Sequence, residues 1–114
     1  MSKVLGIDHG SVRIGIAVTD DSFSIAFRRE VIANNKNVFE NIKKIISDDD
    51  ITIIVIGYPL NLKGEKTQQT LEVEKFEDEL SKALENPPYD TIKIVRWDER
   101  FTSKMAADSM IESG

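Results

Sequence analysis

The sequence predicts an α/β domain built on a five-stranded mixed sheet. Three observations carry that expectation. The first three strand-like stretches are joined only by turns, as in an antiparallel meander. Two later strand-like stretches are each reached through a helix-period segment, the pattern of parallel strands joined by crossovers. Of these, Ile51–Ile56 is a continuous apolar run rich in β-branched residues, as expected of a strand buried on both faces. At 114 residues the chain has the length of one domain, not two.

Val4–Asp8 and Arg13–Thr19 alternate like strands, with His9-Gly10-Ser11-Val12 as the turn between them. In this hairpin Leu5 and Ile7 share one face, and Val4, Gly6 and Asp8 the other. Ile14, Ile16 and Val18 oppose Gly15 and Ala17, so one sheet face is bulky and the other is lined by small residues. Those small residues would let another element come close, and Gly10 would let a ligand approach the backbone. Ile25–Ile32 reads as the third strand, interrupted by Arg28-Arg29-Glu30. Asn34–Asn37 supplies capping residues for a helix whose stripe is Val38, Phe39, Ile42, Ile45 and Ile46. Asp48-Asp49-Asp50 ends it, as a solvated turn rather than a run of metal ligands. A longer helix from about Lys66 to Glu85 carries Val73, Phe76, Leu80 and Leu84, and Asn86-Pro87-Pro88 stops it. Tyr89–Trp97 is the last strand, and Thr102 or Ser103 caps a final short helix.

Composition narrows the classes. Hydrophobic residues make up 40% and charged residues 31%, an ordinary globular balance. No apolar run is long enough for a membrane span, and there is no cysteine for a disulfide scaffold or a thiolate metal site. Both observations lead to an expectation of a cytoplasmic protein with no membrane partner. The net charge of −5 argues against a generic basic coat for nucleic acid, though not against a local basic patch beside a bound cation.

If the first strand lies parallel to Ile51–Ile56, with Tyr89–Trp97 beyond, three strand ends meet at one edge of the sheet. Asp8, Gly57-Tyr58-Pro59 and Asp98-Glu99 then converge where open α/β sheets hold their ligands. Asp8 has three readings at this point: a turn-opening residue bonded to its own backbone, a metal-binding carboxylate with Arg13 nearby for a phosphate, or part of a Gly-turn for a nucleotide phosphate, as in actin-like ATPases. The last leaves Asp98-Glu99-Arg100 unexplained and calls for a second such domain.

Three motifs, in order, resemble the YqgF-type RNase-H-like nucleases, described as Holliday-junction resolvases and as pre-16S rRNA processing nucleases. Gly6, Asp8, Gly10, Arg13, Gly15, Ala17 and Asp20 match the family's opening motif. Gly57 and Pro59 match its Gly-Leu-Pro turn with Tyr58 in place of Leu; Asn61 and Gly64 match the next loop, with Lys63 where an acid is common. Asp98-Glu99-Arg100-Phe101-Thr102-Ser103 matches its Asp-Glu-Arg motif and helix cap. The resemblance implies an RNase-H-like fold with helices on both faces of the sheet.

It also implies metal-dependent hydrolysis of phosphodiester bonds, with Mg²⁺ or Mn²⁺ as cofactor and nucleic acid (pre-ribosomal RNA or branched DNA) as partner. Asp8 and Glu99 are the implied catalytic metal ligands. Asp98 is a further candidate, because alternation pairs Trp97 with Glu99 and Arg96 with Asp98 without saying which face is active. Arg13, Arg100, Lys63 and Lys104 are the candidate phosphate contacts, each with a surface ion pair as its plainer reading. His9 is either a proton shuttle or a turn histidine, and Tyr58 and Trp97 are either base-stacking or packing residues. The family's last helix runs further and carries another catalytic acid, which Asp108 does not match. An empty or singly filled metal site, with feeble cleavage or none, is therefore expected of this 114-residue form, with a non-catalytic nucleic-acid-binding domain as the competing class.

Overall fold

The computed structural model describes residues 3–20 and 26–98. In chain order these form β1 (Lys3–His9), β2 (Arg13–Asp20), β3 (Ala26–Ala33), α1 (Val38–Asp49), β4 (Ile51–Tyr58), α2 (Gln68–Ala83) and β5 (Lys93–Asp98). The sheet order is β3-β2-β1-β4-β5. β2 pairs antiparallel with β1 and β3, while β4 pairs parallel with β1 and β5. This is the meander and crossover arrangement that the lengths of the connections predict.

The register decides what each face does. Leu5, Ile7, Ile14, Ile16, Val18, Ile54 and Ile56 point to one side and join Val38, Ile42, Ile45 and Ile46 of α1 and Val73, Phe76 and Leu80 of α2 in one buried cluster. Both described helices therefore pack on this face, and the Phe39 and Phe76 rings, 5.4 Å apart, seal them to each other. The expected final helix after Thr102 or Ser103 lies outside the described residues. Leu5, Ile14, Ile54 and Leu80 have no exposure. Each such side chain contributes about 1.5–3 kcal/mol by leaving water.

Element ends differ from expectation for local reasons. Asn37 caps α1 without a side-chain bond, and the neighbouring asparagines bond elsewhere. Asn35 Oδ1 accepts from Asn37 N at 2.9 Å, and Asn34 Nδ2 donates to Gly10 O at 2.8 Å. Asp50 ends α1 in the left-handed conformation, its N–H donating to Ile46 O. α2 starts at Gln68 rather than Lys66, because Thr67 and Thr70 form a capping box and Lys66 bridges to Leu60. β5 begins at Lys93 rather than Tyr89, since Tyr89 N bonds Asn86 O and Ile92 N bonds Tyr89 O in consecutive turns, each at 3.0 Å.

Candidate active site

Asp8 lies one residue from the end of β1, exposed, directly opposite Gly15 of β2. A Cβ on Gly15 would stand 3.4 Å from the Asp8 Cβ, so the absent side chain leaves room around the carboxylate. Among the described residues Asp8 has no hydrogen bond and no ion pair. A turn-opening aspartate would bond a backbone N–H of its own turn, and this one does not. The turn is held instead by Asn34, whose side chain bonds Gly10 O and whose N donates to Val12 O at 2.9 Å. Gly10 is required by the turn itself: a Cβ there would fall 2.4 Å from Arg13 O.

Row by row, the register places Asp98, one of the two acids left open at β5. Ile7 pairs with Ile56, and Gly57 with Trp97. One step along, Asp8, Gly57 and Trp97 stand in one row, on the face away from α1 and α2. β4 alone separates β1 from β5, so the outer two strands are about 10 Å apart, and Gly57 puts no side chain between them. Asp98 pairs with Tyr58, in the row of His9, and therefore lies on the opposite, helix-bearing face. The pleat takes it away from Asp8. Glu99, Arg100 and Lys104 lie outside the described residues.

Arg13 alternates with Gly15 onto the same face as Asp8, exposed and without an ion pair to a described residue. Lys63 is likewise exposed and unpaired among them. Among the described residues no three His, Cys, Asp or Glu side chains cluster as a metal site. Asp48 and Asp49 are the last residues of α1 and Asp50 is the turn that follows it, and the Asp8 oxygens make no hydrogen bond or ion pair with another described residue.

His9 points away from Asp8, onto α2. Its ring lies 4.9 Å from that of Phe76, and its Nε2 is 3.4 Å from Asn34 Nδ2. Burial lowers its pKa, against the opposing pull of Glu72 and Asp8, so the imidazole is held neutral. It packs rather than shuttling protons to the Asp8 face. Trp97 departs from the packing expectation in the other direction: it is 46% exposed, on the Asp8 face.

A polar network that sequence reasoning missed fastens β5 and β4 to α2. Arg96 donates through Nε and Nη2 to Glu77, at 3.0 and 2.6 Å to the same oxygen, and its guanidinium lies 4.5 Å from the Tyr58 ring centroid. Tyr58 donates to Glu74 at 2.5 Å, and Lys66 reaches Glu74 at 2.7 Å. Lys66 and Tyr58 together hold the Glu74 carboxyl below its ordinary pKa, and the bond to Glu74 raises that of Tyr58. The ring offered by sequence as a base-stacking platform is thus engaged internally. The i, i+3 spacing of Glu74 and Glu77 on α2 was the one legible trace of this network.

A family model described as "RuvX: Holliday junction resolvase" matches residues 2–114. The chain belongs to the RuvX family. It is 41% identical over 113 residues to a protein of Sulfurihydrogenibium sp. (strain YO3AOP1), covering 99% of this chain and 75% of that one. It is 38% identical over 114 residues to one of Flavobacterium psychrophilum, covering 100% and 79%. Both relatives carry the name "Putative pre-16S rRNA nuclease". Among solved structures it is similar to T. thermophilus RuvC in complex with Holliday junction substrate, with a TM-score of 0.65 and 11% identity over 94% of this chain and 71% of that one. That likeness shows the RNase-H-like fold. In this RuvX chain the sheet edge that carries Asp8 is accordingly the edge to test.

Proposed function

We propose that this protein hydrolyses phosphodiester bonds in precursor 16S ribosomal RNA, using divalent cations held by Asp8 and Glu99. The observation that carries the reading is the Asp8 carboxylate: exposed, bonded to no other described residue, and fixed on a central strand at the carboxyl edge of the sheet. An oxygen-only ligand of this kind suits Mg²⁺ or Mn²⁺, which take few protein ligands and keep several waters. When bound, such ions stabilise charge on the attacking and leaving oxygens of a phosphodiester. Glu99 is the proposed second ligand, because the alternation that groups it with Trp97 groups it with Asp8 as well. Asp98, on the other face, is not part of the pair. Arg13 on the Asp8 face is positioned to meet a phosphate, and Arg100, Lys63 and Lys104 are proposed as further contacts. Relatives named for pre-16S rRNA favour the RNA substrate, which would place the protein in the cytoplasm. The family description favours a four-way DNA junction as the second reading.

The test is cleavage of precursor 16S RNA and of four-way DNA junctions, with Mg²⁺, Mn²⁺ or chelator, by the wild type and Asp8→Asn. Asp8 has no hydrogen bond or ion pair with a described residue to lose, so the variant should keep its stability within about 0.5 kcal/mol. It should lose metal binding by calorimetry and all metal-dependent cleavage, however slow the parent rate. Undiminished cleavage by Asp8→Asn would remove Asp8 from the site. Binding without cleavage in the wild type would favour the non-catalytic class.

A further inference from the structure

Residues 60–66 fold into a miniature β-hairpin directly after β4. Leu60 and Lys66 bridge antiparallel. Asn61 N donates to Glu65 O at 3.0 Å, and Gly64 N donates to Asn61 O at 2.9 Å. Gly64 has φ 81°, which closes a three-residue loop of Leu62, Lys63 and Gly64. The Asn61 side chain fills the inside: its Oδ1 accepts from Lys63 N and Glu65 N, each at 2.9 Å, and its Nδ2 donates to Glu65 Oε1 at 3.1 Å. The base is tied to α2 by the Lys66–Glu74 ion pair and by Thr70 Oγ1 donating to Pro59 O. At the tip, Leu62 is 95% exposed, with Lys63, which has no ion pair to a described residue, beside it.

We propose that this tip is a nucleotide contact, in which Leu62 packs against the face of an unpaired base while Lys63 meets a neighbouring phosphate. The inference rests on the nucleic-acid reading above and adds a residue that the family motifs do not single out. A lone exposed leucine is ordinary; a lone exposed leucine on a loop built this firmly is less so. Leu62 contributes nothing to the core, and the turn geometry is set by Asn61 and Gly64, not by it. A preorganised tip loses little conformational freedom on binding. Its location also fits, because the hairpin leaves the end of β4, between the strand of Asp8 and β5. An apolar side chain next to a cation matches the two chemistries of one unpaired nucleotide, a hydrophobic base face and an anionic phosphate. Duplex stacking hides base faces, so the contact selects unpaired segments.

The experiment measures binding of a single-stranded precursor-rRNA segment carrying 2-aminopurine, and of its duplex, over a salt series in the Asp8→Asn background, where cleavage does not interfere. Leu62→Ala should weaken single-strand binding by roughly fivefold to tenfold, abolish the 2-aminopurine response, and leave the salt slope and duplex binding unchanged. Leu62→Phe should restore binding. Lys63→Ala should flatten the salt slope by about one unit. Single-strand affinity and fluorescence unchanged in both Leu62→Ala and Leu62→Asp would overturn the proposal, as would equal losses on single strands and duplex. If the Asp8→Asn parent and the wild type bind no nucleic acid at all, the nuclease reading falls with it; binding that ignores Leu62 removes this inference alone.

Discussion

Gly10→Ala isolates the physics that holds Asp8 in place. Gly10 lies outside the left-handed region, so alanine would ordinarily stabilise by about 0.4–1 kcal/mol through a less free unfolded chain. Space opposes that gain. The new Cβ would stand 2.4 Å from the Arg13 carbonyl oxygen, about 1 Å inside ordinary contact. That oxygen is backbone and has little room to yield. Arg13 is in register with Ala33, and Val12 O accepts from Asn34 N on the far side. Moving Gly10 instead stretches the 2.8 Å bond from Asn34 Nδ2 to Gly10 O. Overpacking of this kind costs about 1–3 kcal/mol, so the clash outweighs the entropy. Gly10→Ala should lower the urea midpoint and reduce Tm by roughly 4 °C per kcal/mol lost. The control is Val12→Ala, two residues on and 70% exposed, which should stay within about 0.5 kcal/mol of wild type. A Gly10→Ala protein as stable as that control would show that the turn yields freely, and the account of a rigidly held Asp8 would be wrong.

Two further outcomes follow from the polar contacts. A double-mutant cycle on Arg96→Ala and Glu77→Ala should give a coupling near 1 kcal/mol, the upper end for a partly exposed pair because the contact is forked; a coupling near zero by urea titration would reduce the network to decoration. His9 is neutral in the folded state because burial lowers its pKa, so the unfolded chain takes up its proton first as pH falls. Stability from this group is complete above the ordinary histidine value of about 6.5 and is lost as pH drops through the lowered folded value, by at most about 1.4 kcal/mol per pH unit. His9→Phe, which keeps a ring against Phe76, should lack that part of the acid sensitivity; parallel stability curves for the two proteins down to about pH 5 would refute it.

Much of this protein was determined by local pattern. Alternation in Val4–Asp8 and Arg13–Thr19, the unbroken run Ile51–Ile56, and helical stripes at Ile42–Ile46 and Val73–Leu80 specify their elements, because each period is set by backbone geometry alone. Short turns and helical crossovers then specify antiparallel and parallel neighbours, hence the order β3-β2-β1-β4-β5 and the edge at which Asp8 stands. What tertiary structure alone decided is which side of that edge each residue serves. The face of Asp98 is open until β5 is set in register on β4, since a one-residue shift exchanges the faces of a strand; the pairing of Tyr58 with Asp98 puts it on the helix-bearing face. His9, adjacent to Asp8 in sequence, is sent by the same pleat to the opposite face and against Phe76. Tyr58, Glu74 and Arg96 come from three elements and meet only when α2 lies along β4 and β5. Such contacts depend on packing between segments far apart in the chain, where no periodicity in one segment records the position of another.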